Sequence, residues 1–95
     1  LRCRGDGFDF KKFAVWWYRQ RNGERLEMVS VISYDSSITR FAKSVQGRAT
    51  VSRDNSRSES SLALRALHPW DSARYFCAIH TGTGNAAELE HKPPA

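Results

Sequence analysis

Tyr75-Phe76-Cys77-Ala78 places a tyrosine and a cysteine on one side of an extended chain and a phenylalanine and an alanine on the other, because successive side chains of a strand point to opposite faces. The same period of two recurs upstream. Leu62 and Leu64 alternate with Ala63 and Arg65, Val15 and Trp17 with Trp16 and Tyr18, and Leu1 and Cys3 with Arg2 and Arg4. A period of two rather than 3.6 predicts half-buried strands, near residues 1–5, 14–20, 26–33, 48–53, 60–66 and 73–79. Turn-forming pieces separate them: Asp6-Gly7, Asn22-Gly23, Tyr34-Asp35-Ser36-Ser37 and Asp54-Asn55-Ser56. His68-Pro69-Trp70-Asp71 reads as a short turn or helical corner. The stretch after Ile79 is rich in Gly, Thr and Ala, ends in Lys92-Pro93-Pro94-Ala95, and reads as loop or tail.

A chain of 95 residues carries one domain, over residues 1–95, with no room for a second core. A core this small gains materially from a covalent staple. Cys3 and Cys77 are the only cysteines and have no zinc-type spacing, so one long-range disulfide is the leading reading, with two separate buried thiols as the alternative. Such a bridge would contribute on the order of 4 kcal/mol through the unfolded chain and implies an oxidising compartment. No apolar run is long enough to span a membrane, and the first residues do not resemble a signal peptide, so a secreted form would already have lost one. The net charge of +5 is scattered, with no basic run beyond Lys11-Lys12, which favours a solvated surface over a nucleic-acid groove. Catalysis lacks support. No Ser/His/Asp set sits in a motif, and His68, His80 and His91 do not share metal-ligand spacing, so neither a cofactor nor a metal is expected. Thr81-Gly82-Thr83-Gly84-Asn85 is not a phosphate cradle, because no lysine or predicted helix follows it.

Cys3, Trp17, and Tyr75 two residues before Cys77 form the Cys, Trp, Tyr-x-Cys pattern of immunoglobulin domains. Gly7-Phe8-Asp9-Phe10, Trp17-Tyr18-Arg19-Gln20, Val31-Ile32-Ser33-Tyr34-Asp35, Ser44-Val45-Gln46-Gly47-Arg48, Ser52-Arg53-Asp54-Asn55-Ser56 and Tyr75-Phe76-Cys77-Ala78 follow in the right order. Together they resemble an immunoglobulin heavy-chain variable domain from Leu1 to Ala78. The resemblance implies an all-β, variable-type sandwich in which a Cys3–Cys77 disulfide packs on Trp17. It also implies that the Tyr75 hydroxyl bonds backbone at its corner, and that Arg48 and Asp71 form a buried ion pair.

Two departures stand out. The family's first and last strands have no counterpart in the text, which predicts bare sheet edges, and Ala49 and Ser60 replace large core side chains, predicting a cost of about a few kcal/mol each. In the family, three loops at one end of the sandwich bind antigen. Carried over, the first loop holds Asp9, Lys11, Lys12, Phe13 and Trp16, and the second holds Ser33, Tyr34, Asp35, Ser36, Ser37, Ile38 and Arg40. The third begins at His80 and includes Thr81, Gly82, Thr83, Gly84 and Asn85, within a third loop and tail over 80–95 that also carries Glu88 and Glu90. Phe13, Tyr34, Arg40 and His80 are the expected anchors, although Phe13 can equally pack beneath its own loop.

Opposite Trp17, the residues Tyr18, Gln20, Arg25, Leu26, Met28 and Phe76 are expected to form a face that needs a partner domain. The family pairs this face with a light-chain variable domain. Tyr18, Arg25 and Met28 make it more polar, in the manner of heavy-chain-only domains, so pairing is slightly favoured and autonomous binding stays open. The resemblance thus implies a secreted or cell-surface, extracellular domain that binds an antigen, most simply a protein. An immunoglobulin-type receptor or adhesion domain is the alternative, and nucleic acid and membranes are not expected partners.

Overall fold

The computed structural model describes residues 1–5, 9–80, 86–88 and 90–92. Among them are strands β1 (Arg2–Arg4), β2 (Val15–Gln20), β3 (Glu27–Ile32), β4 (Thr39–Phe41), β5 (Ala49–Asp54), β6 (Glu59–Leu64), β7 (Arg74–His80), β8 (Ala86–Glu88) and β9 (Glu90–Lys92). They form two antiparallel sheets, ordered β5-β6-β1-β9 and β4-β3-β2-β7-β8. The half-buried strands expected from the period of two, and the all-β sandwich that the family resemblance implies, are therefore present.

Three features differ from the sequence-based expectation. Thr39-Arg40-Phe41, with only one apolar residue, becomes a strand because β3 offers it a partner, Val31 pairing with Arg40. Residues 86–88 and 90–92, expected as loop or tail, carry β8 and β9. The edges expected to be bare are paired: β8 lies along β7 with His80 opposite Ala86, and β9 lies along β1 with Cys3 opposite His91. Unpaired strand edges present open N–H and C=O groups, and the returning chain satisfies them without needing a strong local pattern of its own.

Cys3 and Cys77 join the sheets by a disulfide with Cα atoms 6.5 Å apart. Trp17 lies fully buried in the same cluster as Phe10, Val15, Ile32, Leu62 and Ile79. Each such side chain contributes roughly 1.5–3 kcal/mol by leaving water. Ser60 is not the hole that its size suggests. Its hydroxyl accepts a hydrogen bond from Trp17 Nε1 at 3.2 Å and donates to Ser52 O at 2.8 Å, so it satisfies the only polar atom of the indole. Ala49 is half-buried and packs on the core.

Asp71, at the end of the 3-10 turn Pro69–Asp71, organises the base of the sandwich. Arg48 approaches it with both terminal nitrogens, at 2.8 and 3.2 Å, and Arg19 Nη1 reaches it at 2.9 Å. The Tyr75 hydroxyl donates to Asp71 O at 2.7 Å, and the backbone N–H of His68 donates to the carboxylate at 2.7 Å. Arg19 is almost wholly buried and also holds Glu27 at 2.8 Å. Hydrogen bonds from Arg48, reinforced by those from His68 and Arg19, hold the Asp71 carboxyl well below the usual range against the opposing effect of burial. Glu27 is lowered chiefly by its hydrogen bond from Arg19. For Arg19, burial works against the charged form, but bonds to Glu27, Tyr75 and Asp71 outweigh it and raise the guanidinium.

Candidate partner-binding site

The register decides which loops meet. Val15 pairs with Ile32 and Trp16 with Ala78, so the start of β2 and the ends of β3 and β7 lie at one pole. The segments before β2, after β3 and after β7 must emerge together there. Of the first, Phe10–Lys12 forms a 3-10 turn whose Phe10 side chain is buried, while Lys11 and Lys12 are exposed and Lys12 lies 3.5 Å from Asp9. Phe13 is half-buried against the core rather than fully displayed. Trp16 stands inside β2, not in the loop, and is also half-buried.

The second loop is a closed unit. Asp35 accepts from Ser33 Oγ at 3.0 Å, from Ser37 N at 3.0 Å and from Ser37 Oγ at 2.6 Å, while Ile38 N donates to Ser33 Oγ at 3.0 Å. Those bonds, led by the one from Ser37, lower the Asp35 carboxyl. Ser36 takes a positive φ of 66° at the tip. Tyr34 and Ile38 are left 57% and 52% exposed, and these are the apolar surfaces the loop offers. Arg40, expected in this loop, belongs to β4 and is exposed beside it.

Arg53 joins the two loops. Its guanidinium donates to Ser33 O at 2.7 Å and to Phe10 O at 3.0 Å, and lies 4.6 Å from the centre of the Phe10 ring. Burial pushes it down from its ordinary value. Asn55 extends the clasp, accepting from Arg53 Nε at 2.8 Å and donating to Tyr34 O at 2.9 Å. Neither role was read from the sequence. The available signal was that Arg53 falls two residues after the inward Val51, and a cation on the buried phase of a strand must find acceptors. Of the expected third loop, residues 81–85 lie outside the described residues, as do residues 6–8; His80 closes β7 at the same pole.

On the outer face of the five-stranded sheet, Met28, Tyr18 and Phe76 form one cross-strand row. Arg74 covers Phe76 at 5.3 Å from the ring centre. Burial raises the Tyr18 hydroxyl. Gln20, Arg25 and Leu26 are exposed at the end of this face, and the Gln20 amide donates to Glu24 O at 3.1 Å. Two stacked sheets, a disulfide packed on an indole and a tyrosine bonded across its corner are the hallmarks of one family, and the immunoglobulin V-set domain family matches residues 1–92. The chain belongs to the immunoglobulin V-set domain family. V-set domains are in general binding modules, typically extracellular and engaged with protein partners. In this V-set domain, the two described loops at this pole are joined by a shared arginine, Arg53.

Proposed function

We propose that this V-set domain binds a protein antigen as an antibody heavy-chain variable domain does, using Asp9, Lys11, Lys12 and Phe13, residues 33–38 and residues 80–85, with Arg40 and Trp16 at their margin. The observation that carries this reading is the Arg53–Asn55 clasp, which places three hydrogen bonds on carbonyls of two loops (Phe10, Ser33 and Tyr34) and one between its own side chains while leaving Tyr34 and Ile38 outside. Preorganised loops with exposed aromatic and aliphatic tips bind at low entropic cost. The heavy-chain-like runs at residues 31–35 and 52–56 favour this over a receptor or adhesion domain. In a screen of the displayed domain against arrayed extracellular proteins, a captured ligand should lose about thirty-fold in affinity on Tyr34→Ala, the effect of a hot spot of roughly 2 kcal/mol. Scrambling residues 81–85, which lie between β7 and β8, should abolish capture with the fold intact, and a ligand that tolerates both changes contradicts the proposal.

The Met28–Tyr18–Phe76 row supports a second domain on the outer face, for which a light-chain variable domain is the favoured occupant. Size-exclusion chromatography of the domain with and without a light-chain variable domain tests this. A shift to a heterodimer supports pairing; an unchanged soluble monomer supports autonomous binding.

A further inference from the structure

Asn22 and Gly23 occupy the centre of the turn between β2 and β3, closed by Glu24 N–H donating to Arg21 O at 2.9 Å, with Gly23 at φ 76°. Both residues are exposed, and a Cβ built on Gly23 would meet nothing within 4 Å. Asn22 makes no side-chain hydrogen bond among the described residues. The Gly23 amide likewise donates to none of them. Asn55, the other asparagine among the described residues, is the opposite case. Its carboxamide is bonded at both ends, to Arg53 and Tyr34, and the following amide, Ser56 N–H, donates to Asp54 at 3.0 Å.

We infer that Asn22-Gly23 is a site of spontaneous covalent modification, deamidating through a cyclic imide while Asn55 is protected by the fold. The Gly23 nitrogen attacks Asn22 Cγ, forming a C–N bond and losing its proton, and the side-chain nitrogen leaves as ammonia. Water then opens the imide at either carbonyl. One opening gives aspartate; the other gives isoaspartate, with the chain routed through the side-chain carbon. Overall, water is consumed, ammonia is released and nothing is oxidised or reduced. The product places a new negative charge beside Arg21, which already holds Glu24 at 2.8 Å and Glu27 at 3.5 Å. Isoaspartate also lengthens the turn that carries Arg25 and Leu26, so the modification alters the end of the outer sheet face whatever the recognition loops bind.

The test is to hold the purified chain in mildly alkaline buffer at body temperature, map it by peptide mass spectrometry, and repeat the incubation in urea. Expected are a one-dalton gain and an isoaspartate signal at Asn22 in the folded chain, with Asn55 unchanged until urea releases it. Asn22→Gln should remove the signal without altering the melting curve. An unmodified Asn22 under conditions that convert a free peptide of the same sequence, or conversion of Asn55 alongside it in the folded chain, overturns the inference.

Discussion

Trp17 and Asp71 show how much single side chains decide. The indole N–H of Trp17 is buried and its partner is Ser60, so Ser60→Ala should cost about 1–2 kcal/mol, the usual penalty for a stranded buried donor. Ser60→Leu should not repair the core, because the added bulk both strands the donor and overfills its surroundings. Urea unfolding of the two variants checks this. Asp71→Asn removes the charge facing Arg48 and Arg19 and should cost roughly 3 kcal/mol, as expected when one member of a buried ionic group is lost. Arg53→Lys keeps a cation but loses the fork, so hydrogen exchange should quicken at residues 10–13 and 33–38 with little change in melting. The Arg48–Asp71 contact could be anticipated from the family resemblance. Arg19 was visible only in phase: it follows Val15 and Trp17 on the inward side of β2, and the sequence did not reveal that Glu27, Ser44 and Asp71 would converge on it.

The elements inherit this chemistry. Asp71 and Glu27 tie the 3-10 corner and the start of β3 to β2, and both carboxyls titrate lower in the folded chain than their ordinary values. Unfolding in acid therefore takes up protons. The stabilisation is complete above the unfolded carboxylate range of about 4 and drains away as pH falls through the lower folded values. Melting temperature followed downward from neutral pH should show this acid limb, and Asp71→Asn should flatten it. Alternation in the sequence located the long strands β2, β3, β5, β6 and β7 to within about two residues, as side-chain period allows. It missed β4, β8 and β9, each three residues long, because such strands form by pairing with an existing edge and carry little pattern of their own.

For the whole molecule, the disulfide spans 74 positions and pins one sheet to the other. Reducing it should lower stability by about 4 kcal/mol, read as a large drop in thermal midpoint. The sandwich was legible because the cysteines, Trp17 and Tyr75 stand at distinctive spacings. The loop clasp was not, because Arg53, Phe10 and Ser33 are brought together only by the packing of separate strands. The proposal that the pole joined by this clasp is where a partner binds is tested most directly by hydrogen exchange of the domain with and without a captured ligand. Slowed exchange confined to residues 9–13, 33–38 and 80 onward to the start of β8 is the predicted result. Protection centred instead on β1, β5 and β6, with those loops unaffected, would contradict it.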